Sequence, residues 1–426
     1  MLKRLLSTAG GAATAALLAP VAVAGPCGQT GEPACPGYAP VLNEQLQMGD
    51  VWSTMEVVTP DSVTDAIGTS AAYGNVTSNL REVGQIDLRS TQTMDGETGA
   101  YTYIETGPVE GVVIGTTTAY ANSALAGSGN GDVNYTGEQT AKGDVSARTV
   151  TRVQQANDLA IATTGVANVS AAEGENGTIR NFVRQDANGS VYAGSDVVNC
   201  CQGNSGQVVT TALGNSSAVT GYGTTTYAGA VQTTAADETI TAVTSYYSPE
   251  AYGATIGAST ASGNSATVVN AWGPATLGRD GSELYQGNLS DISAQTVVTL
   301  DNWSGIASTS AYGVGNSALI SNVGFETGLF GIQSNYGDVT SGAQLVGNSY
   351  SGGTSLVTST AIGNAASAYV CSTCGTAPVS GNIQQFNAGS VTAYGRAFTP
   401  TAGGIIGSAV AVGNTSTYTS TSGKGH

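Results

Sequence analysis

Leu213-Gly214-Asn215-Ser216-Ser217-Ala218 is one of eight versions of a single frame in this chain. Its asparagine recurs as Asn75, Asn122 and Asn168 before it and as Asn264, Asn316, Asn364 and Asn414 after it. The intervals along that series are 47, 46, 47, 49, 52, 48 and 50 residues. The neighbours are small each time: YGNV, YANSA, VANVSA, SGNSA, VGNSA, IGNAA and VGNTS. So regular a period is the mark of a repeat architecture and has to be read before any local motif. The question becomes what an elongated array of stacked units is for.

A second marker keeps step. Gln92, Gln139, Gln185, Gln232 and Gln333 each follow their Asn by 17 residues, while Gln286 follows by 22 and Gln385 by 21. Four residues on, a small residue often opens a strand-like pentad: GDVSA at 143–147, GSVYA at 189–193, SDISA at 290–294, GDVTS at 337–341 and GSVTA at 389–393. Aligning the pentad with the Gly-Asn frame splits each repeat into halves of roughly 22 and 25 residues, lengths suited to one solenoid coil. The alignment predicts a β-solenoid in which eight repeats of about 48 residues are each a pair of coils. A propeller is the rival, since blades run about 40 to 50 residues. Blades carry no internal half-repeat, and the familiar blade signatures are missing.

Composition agrees with strands. Charged residues are 10% of the chain, against about 25% in ordinary domains. Gly is 60 of 426 residues. Leu, Lys and Glu are scarce, which disfavours helices; Val, Thr and Tyr joined by Gly and Asn favour strands and tight turns. Period-two runs such as Asp144–Val153, Glu238–Thr244 and Ile292–Thr299 alternate inward and outward side chains. Stacking would bring equivalent Asn side chains together, each amide donating to one neighbour and accepting from the other. The eight Asn and seven Gln are therefore expected to be a structural ladder rather than a ligand site.

Residues 1–24 read as an export signal: Lys3 and Arg4, an Ala-rich apolar stretch, then the small-x-small Ala22-Val23-Ala24. Residues 25–65 hold Pro26, Pro33, Pro36, Pro40 and Pro60 and read as an N-terminal cap, with Val41–Met48 its helix-like stretch. Residues 66–418 carry the repeats, and 419–426 read as a disordered tail. The formal charge is -17. Most cations lie in the first half; behind Arg184 come Arg279, Arg396 and Lys424 alone. The basic footprint that nucleic acid needs is missing. A cationic polymer or a divalent-ion bridge suits the acidic back half better, while plain solubility of a secreted protein is the simpler account of the charge.

Chemistry-bearing sets are sparse. The sole histidine is His426, so a triad would need an unusual base. Cys371 and Cys374 form a C-x-x-C in the lengthened Asn364–Gln385 segment and read as a disulfide-pinched inserted turn; Cys27 and Cys35 could close the cap. Cys200 and Cys201 are adjacent, and six cysteines allow fifteen pairings. Carboxylate pairs for polysaccharide cleavage would be Glu173/Glu175, Asp237/Glu238 or Asp280/Glu283. Strand neighbours point to opposite faces, and the others sit in turns where acids are ordinary. The sequence thus predicts no catalytic residue, cofactor or metal site.

The frame G-N-[SA]-[SA] with Q-x-x-x-[GSA], seen in AIGNAA around Asn364, AVGNTS around Asn414 and QFNAGSVTAY from Gln385, resembles the HfaD holdfast anchor family of stalked alphaproteobacteria. The likeness spans residues 66–418; a more distant one is to curlin repeats. The resemblance implies a multimeric surface protein at the stalk tip. It implies two sister anchor proteins, one a lipoprotein resembling the curli secretion pore, and the task of fastening an adhesive polysaccharide to the outer membrane. Two other readings stand beside it: an amyloid-like fibre or surface-layer subunit that binds no polysaccharide, and a polysaccharide-cleaving β-helix.

Overall fold

The computed structural model describes residues 41–279, 283–348, 352–372, 377–400 and 402–422. Every regular element among them is a β-strand, and the strands pair in parallel in two sheets of 9 and 14 strands. Leu88 pairs with Tyr135, Tyr135 with Asn181, Asn181 with Ala228, Ala228 with Leu277 and Leu277 with Leu329. Each step advances by a whole repeat. One repeat is therefore one coil, and the expected pair of 22- and 25-residue coils is corrected to a single coil of twice that length. The β-solenoid class stands.

A coil carries three tracks. The fourth repeat shows them: a short first strand, Thr178–Ala187, a short second strand, Val191–Asn199, and a long third strand, Cys201–Tyr222. In two coils the second and third tracks run on without a break, as Thr98–Ser128 and Val145–Glu175. The long track is faced along its first half by the second track, where Thr149 and Thr163 hydroxyls meet at 2.6 Å. Along its second half it is faced by the first track, where Asn168 Nδ2 donates to Asp186 O at 3.0 Å. The pentad and the Gly-Asn frame thus lie on opposing walls of one coil, which explains why they look alike without being successive coils.

Alternation builds the walls. Val145, Ala147, Thr149, Thr151 and Val153 are buried, while Arg148 is exposed between them. Two apolar columns result. One holds Ile104, Val145, Ile161, Val191, Ile240 and Leu300. The other holds Ile86, Leu88, Val133, Ile179, Val268 and Ile320. Burying side chains of this kind contributes about 1.5–3 kcal/mol each. On the long strand Asn122 falls between Ala121 of the first column and Ala124 of the second, so the polar ladders run between two apolar cores.

The residue before each ladder Asn is Gly or Ala; at Gly74, Gly315 and Gly363 an added Cβ would meet the next coil's backbone oxygen at 2.5–2.6 Å as well as a facing side chain. A Cβ on Gly315 would sit 2.3 Å from Asn335 Oδ1, one on Gly363 2.2 Å from Asn387 Oδ1, and one on Gly74 2.7 Å from the Met94 sulfur. At the equivalent corners of two front coils, Ala121 and Ala167 match Ala141 and Ala187, which leave the room. Small pairs with large and medium with medium, as close packing requires.

Two boundaries change. Val41–Gln47 is a strand, not a helix, and pairs in register with Leu88 to Met94 of the strand Ile86–Met94. With Val51–Thr59 it starts the first coil; its inward Asn43, Gln45 and Gln47 alternate like later strands. The repeat array therefore begins before residue 66, which contradicts a cap reaching over 41–65; residues 25–40 lie outside the described residues. At the other end the strand Gly404–Ser422 runs past Thr419, because Thr419 continues the pairing with Tyr369. The rest of the expected tail, 423–426, like the signal at 1–24, lies outside the described residues.

Candidate functional site

The structure places the eight asparagines in one column. Asn75 Nδ2 donates to Asn122 Oδ1 at 2.8 Å, and the same link joins Asn122 to Asn168, Asn168 to Asn215, Asn215 to Asn264, Asn264 to Asn316, Asn316 to Asn364 and Asn364 to Asn414, at 2.7–2.9 Å. The second N–H bonds a backbone carbonyl across the core, as from Asn122 to Thr140 O and from Asn316 to Ser334 O, both 2.9 Å. That second bond fixes which end of the amide is nitrogen.

The glutamines form a parallel column of opposite polarity. Gln92, Gln139, Gln185, Gln232, Gln286, Gln333 and Gln385 each donate to the glutamine one coil earlier, the first of them to Gln45, at 2.7–2.8 Å. Asparagine donors point toward the C-terminal end and glutamine donors toward the N-terminal end. Adjacent ladder dipoles therefore oppose, which is the favourable arrangement of two aligned rows.

Two further columns went unnoticed in the sequence. Asn288 donates to Asn335 at 2.7 Å and Asn335 to Asn387 at 2.8 Å, a third ladder in the back coils. The signal was there: each lies two residues after a ladder Gln. Thr102, Thr117, Thr149, Thr163, Ser195, Thr210, Thr244, Ser259 and Thr296 form a zigzag of hydroxyls, with contacts of 2.6–3.0 Å. Threonine is too common in this chain for that column to stand out by eye.

Many acids hold corners. Asp50 accepts from Glu97 N, Asp144 from Ser190 N, Asp291 from Asp338 N and Asp338 from Ser390 N, each one coil on, at 2.7–2.9 Å. Asp158 accepts from Ser205 and Asn204, and those bonds hold its carboxyl below the usual aspartate range. Of the carboxylate pairs, Glu173 is exposed near the end of its strand and Asp237 occupies a left-handed turn, φ 65°. Glu238 accepts from Ser190 Oγ at 2.5 Å; Asp280 lies outside the described residues. Cys371 sits near the end of Thr354–Ser372, and its expected partner Cys374, like Cys27 and Cys35, is outside them too.

The outer surface of the first track holds a concavity of about 370 Å³, lined by Arg89, Thr136, Glu138, Phe182, Arg184 and Glu283 among others. Register explains it. Arg89, Thr136, Phe182 and Gly229 are successive members of one column, and Gly229, which adds no side chain there, is buried. Arg184 Nε lies 3.2 Å from Asp186 Oδ2. An aromatic ring among hydrogen-bonding groups of both charges can contact apolar C–H groups and polar groups of one ligand.

A family model described as holdfast attachment protein D matches residues 60–336. No curated protein and no solved structure matches the chain. The family match spans more than half of the sequence, and the chain belongs to the holdfast attachment protein D family, whose role is holdfast attachment at the cell surface.

Proposed function

We propose that this holdfast attachment protein is a non-enzymatic, multivalent platform that fastens an adhesive polysaccharide to the outer membrane. The supporting observation is the register of the coils. Each outward position recurs one strand over, about 4.8 Å along the axis. A glycan lying along that axis would meet a contact at every coil, and each contact made raises the effective concentration for the next. The Phe182 concavity is one such contact in this reading. The ring would take the sugar's C–H face, Arg89 and Arg184 would donate to ring oxygens, and Glu138 and Glu283 would accept from hydroxyls or an ammonium. The acidic back half would draw a polymer bearing free amines.

In this reading residues 1–24 direct export. Sister anchor proteins, including a lipoprotein pore, hold the array at the outer membrane of the stalk tip. Loss of the gene should release cells while the adhesive is still made and shed; cells that stay attached would remove the anchor role. Within the protein, Phe182→Ala and Arg89→Ala should each weaken glycan binding several-fold with the fold intact, and unchanged binding would remove the concavity from the account.

The runner-up, a self-assembling fibre, is favoured by the ladder ends. Asn414 has N–H groups and Gln385 an acceptor oxygen facing the last edge; Asn75 has an acceptor and Gln45 an N–H facing the first. A second copy stacked head to tail would satisfy all four and would pair the edge strands of the described array. Such a homo-multimer is compatible with anchoring. Fibres that form without glycan in a strain whose adhesion survives deletion would favour the fibre reading alone.

A further inference from the structure

Cys200 and Cys201 occupy the corner between the second and third tracks of the fourth coil. Their sulfurs are 3.2 Å apart. The corner is irregular: Cys201 pairs with Glu250, and the register with the preceding coil shifts between Gln202 and Ser205. It is nonetheless held from both sides. Cys200 N donates to Val153 O at 3.0 Å and Glu250 N to Cys200 O at 3.1 Å. Buried Asn199 accepts from Ala156 N at 3.1 Å, and buried Gln202 donates to Ala254 O at 2.9 Å and accepts from Tyr246 at 2.6 Å. Flanking residues are thus pinned while the two thiols face each other at the surface.

We propose that Cys200 and Cys201 form a vicinal disulfide in the surface-located protein. The inference rests on cell-surface placement, where disulfides persist, and is independent of glycan binding. Adjacent Cα atoms lie about 3.8 Å apart, closer than the usual 4.4–6.8 Å span of a bridge. Such a ring therefore carries strain and forms only where the backbone presents the sulfurs to each other, as this corner does. Closing from contact to a bond of about 2.05 Å needs a movement of roughly 1 Å. The sulfurs are not equivalent. Cys200 is exposed and Cys201 half-buried. Burial, then its neighbour Cys200 and Glu250, push the Cys201 thiol up to about 11.

Cys200 is accordingly the sulfur that reacts first, with the disulfide of a dithiol carrier. Its thiolate displaces one carrier sulfur and forms a mixed disulfide. Cys201, deprotonated as it attacks, then joins Cys200 and expels the second carrier sulfur. Two protons and two electrons leave the cysteine pair, and the carrier's disulfide becomes a dithiol. Strain makes the bridge easier to reduce than an ordinary structural disulfide.

The test uses the full chain, purified reduced and incubated with excess oxidised over reduced glutathione. Alkylation and mass spectrometry of the peptide holding both residues follow. The expected product has lost two hydrogens, carries no alkyl group and gains two only after reduction; Cys200→Ser gives a single alkylated thiol at Cys201. Both wild-type thiols alkylated without reduction would overturn the proposal. So would bridges from either residue to another cysteine or another copy, or stable glutathione adducts on Cys200. The same measurement on protein recovered from the cell surface asks whether the bridge is present there. Free thiols in that sample would overturn it even if cells lacking the protein still detach.

Discussion

The coils around Asn168 and around Asn316 build the same corner in different ways. In the first, Ala167 stands opposite Ala187; in the second, Gly315 stands opposite Asn335, whose oxygen would be 2.3 Å from a Cβ at 315. The front version is apolar. The back version moves volume across the coil and gains a third ladder, Asn288–Asn335–Asn387. The contrast teaches that a coil conserves total volume rather than the residue at one position, and that spare volume on the first track becomes hydrogen bonding. Charge divides along the same line, with Arg81 to Arg184 in front and few cations behind.

The largest effect expected from this contrast is at the back corner. Gly315→Ala should destabilise by about 3 kcal/mol, the upper part of the overpacking range. Adding Asn335→Ala removes the side-chain clash but breaks the third ladder, so the two changes should couple, the double variant costing less than the sum of the two single ones. Ala167→Gly should cost only about 0.5–1 kcal/mol. Chemical melts of these proteins and of Asn335→Ala alone decide the matter, and a double variant as costly as the sum of the two single ones would break the volume-exchange account.

The ladder itself should cost less, and equally in both halves. Asn215→Ala, Asn264→Ala and Asn316→Ala each leave buried amides unpaired, at about 1–3 kcal/mol per site. Asn157→Ala, whose side chain makes one exposed bond to Glu110 O, should be close to neutral. Equal and negligible losses at all four would remove the stacked-amide account.

A smaller effect is expected on the alkaline side. Burial, with Tyr73 adding to it, pushes Tyr120 up to about 12, and burial likewise raises Tyr135 and Tyr246. A phenol held neutral in the fold but ionising near 10 when unfolded contributes stability that is complete below about pH 10. That contribution is lost as pH rises toward 12. Tyr120 and Tyr135 belong to front coils, so hydrogen exchange in that range should rise first there. Uniform loss along the array would show instead that the coils unfold as one unit.

The smallest expected effect concerns the acidic back half and is electrostatic. Binding of a partly deacetylated amino-sugar polysaccharide should weaken several-fold from low to moderate salt, as screening shortens the reach of exposed charge. A neutral glucan should stay weakly bound throughout. Self-assembly, opposed by the same charge, should strengthen with salt, which light scattering over the series would detect. Salt-independent glycan binding would sever charge asymmetry from function.

The sequence by itself determined the repeat, its period, the all-β class and the identity of two ladder columns. These are legible because stacking demands the same residue at the same phase in every coil, and Asn215 or Gln232 cannot be replaced without breaking a row. What the tertiary structure alone decided was how the chain closes on itself. One coil or two per repeat depends on which strands pair, and alternation looks the same either way. The strand at Val41–Gln47 escaped notice because its outward Leu42 and Leu46 sit at helix-compatible spacing, and only its pairing with Ile86–Met94 settles the matter. The Gly315–Asn335 exchange, the hydroxyl zigzag and the Phe182 concavity likewise join residues on different strands. Their meaning lies in distances across the coil or between coils, which no local pattern records.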